Sequence, residues 1–534
     1  MKARILLLPL ALLFLLAFTH CAKRGRPSGG AIDSIPPKPL RMSPSNYTTK
    51  FDSDKIIIHF DEYIRLDKLQ ENLIISPPME KMPNISPYNT SKTLEIDIDE
   101  QLQPNTTYTF NFGNSIIDNN EGNVLEQFEY VFSTGNYLDS LNLKGKIIDS
   151  RLLKLKNRVG VNLYRMDDNF HDSIITKGKP NYITVTDEEG NFTFTNLASG
   201  EYLLTAIQKK NEGNSYSYNP AEDKFAFNSE IIQVPNDTIQ KLFLYKEKAR
   251  YKLHRSEMTH ENIVRFAYQS DGTIPKIKLQ NTSDEIKTRI IKEMNKDTLD
   301  FWFNSKIEKD SLLFSITYRD TTETVRVRRK KDLQKKDFKI HNIEVSNPHD
   351  TLKLRLDTPI GSINEDFMEL TDRDSVNIPF TTDVNFLNNL VYINFEKDYE
   401  NNYHLRLLPN AIIDWEGTAN DTVQYRVRTK AEADYGSLHL NLHGIEDFPV
   451  IVEILDSNSK TIRSEYLTEN RQINFLHLNS GTYFVRLSFD LNKNKKWDSG
   501  NFEKRLQPEP VYFFHTPIEV HANWSVNENL RLDN

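Results

Sequence analysis

The feature that most narrows what this chain can fold into is that it repeats itself. The stretch FDEYI (Phe60–Ile64) returns as LDTPI (Leu356–Ile360), and NSIIDNNEGN (Asn114–Asn123) returns as NAIIDWEGTAN (Asn410–Asn420) at the same separation. YLDSLNLKG (Tyr137–Gly145) is echoed by DYGSLHLNLHG (Asp434–Gly444). TNLASGEYLLTAI (Thr195–Ile207) is echoed by LHLNSGTYFVRLSF (Leu476–Phe489), which pairs Leu197 with Leu478, Gly200 with Gly481 and Tyr202 with Tyr483. Two motifs kept at one separation mark a duplicated two-domain unit, with about ninety residues of other sequence between the copies. A chain of 534 residues built this way holds several domains, not one enlarged core.

Each unit reads as β. DKIIIHF (Asp54–Phe60), TLEIDID (Thr93–Asp99) and TTYTFNF (Thr106–Phe112) are short β-branched and aromatic runs. Several alternate apolar with polar, as a strand with one buried face must, because successive side chains point to opposite sides. Asn, Asp, Gly and Pro punctuate them at the interval of a sandwich. GNFTF (Gly190–Phe194) followed by SGEYLLTAI is a hairpin signal with Gly200 in the turn. The 23 Tyr and 30 Phe against 19 Gly suit packed sandwiches, not low-complexity chain. The middle segment carries strand-like DTLDFWF (Asp297–Phe303) and DSLLFSITY (Asp310–Tyr318). TSDEIKTRIIKEM (Thr282–Met294) admits a helix capped by Thr282 and Glu285. Its Ile286, Ile290 and Met294 also fit alternation, and strand is the expectation in these surroundings.

At the N-terminus, Lys2 and Arg4 precede an apolar run, Ile5–Phe18, too short to span a bilayer comfortably. The run ends at Cys21, the single cysteine of the chain. This combination resembles a bacterial lipoprotein signal peptide. The resemblance implies that residues 1–20 are removed and that Cys21 is diacylated as the first residue of the mature chain. The alternative is an ordinary secretory signal with an incidental cysteine. With one thiol no intramolecular disulfide can form, so stability must come from apolar cores. Two acyl chains meet the two-signal requirement for durable anchoring without a transmembrane helix. The Gly, Pro and Ser of residues 21–35 read as a tether, basic at Lys23, Arg24 and Arg26, which leaves the membrane face open. A formal charge of −8 without a basic stripe argues against nucleic-acid binding.

Ile35–Gly135 is similar to the bacterial Ig-like domain first described in S-layer proteins, with its Pro-rich lead-in and D..GN….F.T close. LNLKGKIID…DEEGNFTFTNLASGEYLLTAI and its C-terminal echo look like the transthyretin-like sandwich of carboxypeptidase-regulatory domains. With CAKRG at the start and KKWDSGNFEKRLQPEPVYF (Lys495–Phe514) near the end, the whole order resembles a family of Ig-like-domain outer-membrane lipoproteins from Bacteroidota. The expected fold is therefore all-β and multidomain, tandem Ig-like and transthyretin-like sandwiches after a lipoprotein signal peptide. The expected boundaries are a signal peptide at 1–20, a lipidated tether at 21–35 and an Ig-like sandwich at 36–136. A transthyretin-like sandwich follows at 137–248 and an additional β domain at 249–340. A second Ig-like sandwich at 341–430 and a second transthyretin-like one at 431–534 complete the chain. The resemblance implies a chain without catalysis, lipid-anchored in the outer membrane, that acts as a scaffold or docking subunit for an envelope or outer-membrane protein partner. Outer-membrane protein assembly is among the roles it implies. The alternative is a surface glycan-binding lipoprotein.

No nucleophile elbow, Walker loop, dinucleotide fingerprint or zinc-protease helix occurs in the sequence. His439 and His443 would share one face of a strand with Asn441, as a weak metal pair or as its wet side. Asp61–Glu62 and Asp187–Glu188–Glu189 are adjacent acids suited to turns, whereas glycosidase chemistry needs two carboxylates facing across a cleft. The tryptophans Trp302, Trp415, Trp497 and Trp524 carry the glycan alternative, since an exposed indole stacks on a sugar ring. Trp497 lies in DLNKNKKWDSG (Asp490–Gly500), which has the spacing of a calcium loop. Its candidate ligands are Asp490, Asn492, Asn494, the Lys496 carbonyl and Asp498. Lys495 stands where a glycine is wanted, and no bidentate Glu closes the set. The expectation is a turn that keeps at most a weak calcium site, and no cofactor is required. The first-copy counterpart, KKNEGNSYS (Lys209–Ser217), closes the same connection without three of the four ligand side chains.

Overall fold

The computed structural model describes residues 33–532 apart from 211–215, 249, 281–285, 295, 305–308, 331 and 344–349. Cys21, the signal and most of the tether lie outside the described residues, as do Thr282 and Glu285. The chain is nearly all β and forms two compact units, Met1–Ser140 and Leu141–Asn534.

The first unit is a sandwich. One sheet runs in the order Pro39–Ser43, Lys55–Leu66, Ser91–Asp97, Asn84–Ser86, with Ile116–Asp118 against the far end of the long strand. The facing sheet is Ile74–Ser76, Thr107–Asn111, Glu129–Ser133. Alternation in Lys55–Leu66 sends Ile56, Ile58 and Phe60 into the core and leaves Ile57 and His59 outside it. Phe132 stacks on Phe51 at 3.9 Å and on Tyr108 at 5.4 Å, so stacked rings add to the aliphatic burial of this core.

The second unit contains four sandwiches, and one repeats the order just described. Ile340–Ile343, Leu352–Leu356, Leu390–Asn394 and Thr381–Asn385 form one sheet, opposite Met368–Thr371, Asn402–Leu407 and Val423–Arg428. The repeated sequence motifs have a physical task in both copies. Buried Asp118 accepts backbone N–H bonds from Asn120 at 2.5 Å and Gly122 at 3.1 Å, and Asp414 accepts them from Glu416 at 3.0 Å and Thr418 at 2.8 Å. Each carboxylate thereby ties its turn shut. The paired strand residues Tyr108 and Tyr403 likewise accept the N–H of the residue five positions earlier, Gln103 at 3.0 Å and Asp398 at 2.6 Å.

The middle segment turns out to be a third sandwich of the same order. Lys252–His260, Ile263–Gln269, Thr298–Phe303 and Thr288–Lys292 face Lys276–Leu279, Ser311–Tyr318 and Thr321–Arg328. A tight hairpin between Tyr318 and Thr321 replaces the Asp-centred loop of the other two. The ambiguous stretch is strand over Thr288–Lys292.

The other two sandwiches share a different order. Leu141–Asp149 is flanked by Asn191–Leu197 and, in parallel, by Gln240–Leu244; Gly436–His443 is flanked by Ile473–Leu478 and, in parallel, by Ser525–Arg531. The opposing sheets run Tyr182–Val185, Gly160–Arg165, Gly200–Gln208, Lys224–Phe227 and Thr461–Leu467, Val450–Leu455, Gly481–Phe489, Val511–Val520. Tyr202 and Tyr483, paired in the sequence echo, both donate their hydroxyls to the carbonyl four residues earlier, Ala198 at 3.0 Å and Asn479 at 2.7 Å. Gly145 allows its strand to pass under Phe192, whose ring would lie 2.3 Å from an added Cβ.

Within the second unit, contacts link the third sandwich to the fourth, the fourth to the fifth and the fifth to the second, and the chain itself joins the second to the third, which makes a circuit. The third and fourth of the chain meet through Trp302 against Trp415, ring centroids 6.4 Å apart, and through the Lys292 N–H on the Leu387 carbonyl at 2.7 Å. The fourth and fifth meet where the Tyr399 hydroxyl bonds the His477 ring and Lys430 donates to Asn479 at 3.2 Å. The contact that closes the circuit joins the fifth to the second.

Candidate functional site

That closing contact is built from Gly481–Phe489, Val450–Leu455 and the loop Asp490–Glu509, set against Asp149–Leu153 and the strands around Phe225 and Tyr245. On the neighbouring strands Val450–Leu455 and Gly481–Phe489, Glu453 stands directly beside Arg486. The equivalent pair in the other copy is Asn162 beside Thr205, both buried and neutral. The C-terminal copy has therefore put an ion pair where its counterpart keeps small polar groups. Arg486 is only 2% exposed. It forks onto Glu453, Nε to Oε2 at 2.7 Å and Nη2 to Oε1 at 2.8 Å, and also donates to Thr461 Oγ1 at 3.1 Å and to the Arg151 carbonyl at 2.5 Å. From the other sandwich, Arg151 adds a second fork onto Glu453 at 3.1 and 3.2 Å. Beside it, the Leu153 N–H reaches Ser459 Oγ at 2.9 Å.

One carboxylate between two guanidiniums has an uneven electrostatic balance. Burial works to raise the Glu453 pKa, but the Arg486 hydrogen bonds and the charges of both arginines outweigh it and hold it below the ordinary carboxylate value. Burial and the Arg486 charge depress Arg151. Because the folded Glu453 value is the lower one, its stabilisation is in place above the unfolded pKa of about 4.3 and is lost as pH falls through the folded value. Urea midpoints for the wild type and Glu453→Gln are expected to converge as pH is lowered below about 4. A gap that persists unchanged there would count against the ionic contact.

The Asp490–Glu509 loop covers this triad. The Arg151 guanidinium lies 5.1 Å from the Trp497 ring centre, and the Trp497 indole N–H donates to the Glu509 carbonyl at 2.9 Å. Asp498 pairs with Lys248 of the linker that follows the second sandwich. Ser499 donates to the Lys246 carbonyl, and the Phe502 N–H to Glu247 Oε1 at 2.6 Å. Gly500 lies flat on Tyr245, where an added Cβ would stand 2.6 Å from a buried ring. Phe502 inserts between Phe225 and Phe227, edge-to-face with each at 5.2 Å. Arg250–Glu503 and Arg505–Asp172 pair at the rim.

The five candidate calcium residues fall in this loop, and the side-chain oxygens of Asp490, Asn492, Asn494 and Asp498 accept hydrogen bonds from protein donors. Asp490, 1% exposed, accepts from the backbone of Asn494 at 3.0 Å and Lys495 at 2.8 Å and from the Tyr466 hydroxyl at 2.9 Å. The Asn492 and Asn494 amides donate to Asp498 at 2.5 and 2.6 Å, and the Lys496 N–H donates to Asn494 Oδ1 at 2.9 Å. The Lys248 hydrogen bond is the main cause of the lowered Asp498 pKa, with the two amides adding to it. Among the described residues no group of three or more His, Cys, Asp or Glu side chains could hold a metal ion. Titration of the full chain with calcium is expected to give no saturable heat; a heat abolished in Asp498→Ala would reinstate the metal reading.

The remaining sequence candidates are dispersed. His439 Nδ1 bonds Asn474 at 2.6 Å while Leu438, Leu440 and Leu442 fill the core behind it, and His443 is exposed. Asp187 ties a turn through the Asn191 N–H at 2.7 Å, and Asp61 accepts the Lys38 N–H at 2.8 Å. Trp302 is buried and Trp415 packs on it, whereas Trp524 is 57% exposed and stacks edge-on against His521 at 4.6 Å. Reading the candidate ligands alone missed Arg486, Glu453 and Arg151. The signal was present: a charged residue in the apolar run YFVRLSF, aligned with Thr205 of the first copy.

Comparison with known proteins gives two family matches. Residues 33–134 match the bacterial Ig-like domain, and residues 435–497 match the secretion system C-terminal sorting domain. The latter indicates a cell-surface or outer-membrane-associated protein of Bacteroidota type. The matched stretch ends inside the loop described above, before Val511–Val520 and Ser525–Arg531 complete its sandwich. No curated protein matches the chain. Among solved structures, the surface layer protein SbsC (domains 1–6) is 12% identical over 86% of this chain and 66% of its own, with a TM-score of 0.15. This chain thus spans just under two thirds of that protein. The Escherichia coli alpha-2-macroglobulin is 9% identical over 90% of this chain and 42% of its own, TM-score 0.14. The BSP domain of a biofilm associated protein is 10% identical over 76% and 99%, TM-score 0.15. Superpositions this poor carry no argument about domain arrangement or function.

Proposed function

We propose that this chain is a non-catalytic, lipid-anchored outer-membrane scaffold that docks an envelope protein through its tandem sandwiches. The observation that carries the reading is the closed circuit of the second unit. Four sandwiches are tied through Trp302–Trp415, Tyr399–His477 and the Arg151–Glu453–Arg486 triad. A chain of β-sandwiches joined only by linkers would have freely moving neighbours. Here buried charge and inserted aromatics hold the last sandwich to the second, which suits a surface that must keep a fixed shape to receive a partner. The sorting-domain match supports an envelope location. Crosslinking in intact cells followed by mass spectrometry should recover one stoichiometric envelope-protein partner; a chain that is recovered alone overturns the reading. The anchor is a separate expectation. Metabolic labelling with a fatty-acid analogue should mark the wild type and not Cys21→Ser.

The glycan-binding alternative retains one supporting observation, the exposed Trp524 stacked on His521. It predicts quenching of tryptophan fluorescence by at least one polysaccharide in a broad panel, lost in Trp524→Ala.

A further inference from the structure

We propose that the outward face of one sheet of the third sandwich is a binding site for a linear polysaccharide that carries carboxylate groups. The proposal goes beyond both readings above and rests on neither. The sheet is the one formed by Lys276–Leu279, Ser311–Tyr318 and Thr321–Arg328. Alternation buries Ile277, Leu312, Phe314, Ile316 and Val327 and leaves Lys276, Lys278, Arg326 and Arg328 exposed on the opposite side. The strand register sets these four cations in order. Lys276 stands in the row of Thr317 and Thr322, and Lys278 in the row of Ser315 and Thr324. Arg326 stands beside Leu313 in the next row, and Arg328 beside Ser311 in the last. Successive rows are about 7 Å apart, so one positive charge per row crosses the sheet obliquely over about 20 Å.

Among the described residues, none of these four side chains makes an ion pair or a hydrogen bond. Every charge on the face is positive, although the chain holds 75 Asp and Glu against 67 Lys and Arg. Charged edge strands also discourage pairing between sheets, but mixed signs would serve that purpose too. Hydroxyls lie between the cations. Thr317 and Thr322 bond each other at 2.9 Å, and Ser315 accepts from Gln280 at 2.7 Å, which leaves its own O–H to donate. Charges with hydroxyl partners between them suit a carboxylated sugar chain. A protein interface would want an apolar centre, and half-buried Leu313 is the one aliphatic side chain on this face. The fourth sandwich repeats the arginines. VRVRRK (Val325–Lys330) returns as YRVRTK (Tyr425–Lys430), and Arg426 and Arg428 are again exposed, beside His404 and Asn402. The fold does not demand them. In the first sandwich Phe132 lies opposite Tyr108 as Val427 lies opposite Tyr403, and its flanking residues are buried Val131 and Ser133.

Calorimetric titration of the full-length chain with polygalacturonate tests this. At low ionic strength it should give saturable binding that neutral dextran does not give and that high salt removes. Lys276→Gln with Lys278→Gln should weaken the binding about tenfold, and Arg326→Gln with Arg328→Gln should do the same. These pairs lie on different strands, so if one variant misfolds the other still decides. A third variant, Lys144→Gln with Lys146→Gln, makes the same change of net charge at two exposed lysines of the second sandwich and should bind like the wild type. An equal loss in that variant would assign the binding to the overall field and overturn the proposal. So would a wild-type chain that gives no saturable heat. Tighter binding to single-stranded DNA or to phosphatidylglycerol vesicles than to polygalacturonate would overturn it as well.

Discussion

Glu453→Ala is expected to lower the stability of the contact between the second and fifth sandwiches by about 3–5 kcal/mol, the cost of stranding a buried charge. The arginine left behind is Arg486, which is 2% exposed and keeps the Thr461 hydroxyl and the Arg151 carbonyl, both uncharged, as partners. Arg151, with a side chain 34% exposed, can turn outward and would lose less. Hydrogen exchange over Val450–Leu455 and over residues 149–153 reads the loss on both sides of the contact. The cost belongs to the broken pair and not to the presence of charge as such. Replacing both partners with apolar residues, Glu453→Leu with Arg486→Met, is therefore expected to recover much of it. If Glu453→Ala exchanges like the wild type in both segments, the triad does not hold these sandwiches together.

Phe502→Ala is expected to cost a further contact of about 3–5 kcal/mol, the usual range for removing a buried aromatic. Phe502 is 8% exposed and fills the gap between Phe225 and Phe227. The two variants should differ in pattern as well as in site. Loss of Phe502 exposes Tyr245 and the Phe225–Phe227 surface, so binding of a hydrophobic dye should rise, while the Glu453–Arg486 strands keep their own pairing. A thermal melt that separates into two transitions would mark the release of the fifth sandwich from the second. A single unshifted transition would show that the loop merely rests on the surface.

How much of this was legible beforehand can be followed residue by residue. The alternation in DKIIIHF predicts which side chains enter the core, and Ile56, Ile58 and Phe60 do. Gly200 with Gly481 and Tyr202 with Tyr483 return as matching strand starts and matching hydroxyl–carbonyl bonds. The middle sandwich shows the opposite. Its strand order equals that of the two Ig-like copies, yet it shares neither their Asp-centred loop nor their motif. Topology is fixed by which strands pair, and many sequences satisfy one pairing, so likeness of fold survived where likeness of sequence did not. DLNKNKKWDSG shows a different limit. The spacing of its oxygens is visible in the sequence, but whether those oxygens face a cation or N–H donors depends on Lys248 and on the backbone of the loop itself.

The order of residues by itself determined the local matters: all-β structure, the duplicated unit, the turns closed by Asp118 and Asp414, and the faces that become buried. These follow from short-range geometry, in which a side chain's direction is set by its place in a strand of period two. Only the tertiary structure decided that Arg151 and Glu453, 302 positions apart, would share a buried ion triad. It also decided that Phe502 would fill a cleft in another sandwich. A charge or a ring acquires its energy from what covers it, and that covering came from a domain that the neighbouring sequence does not specify.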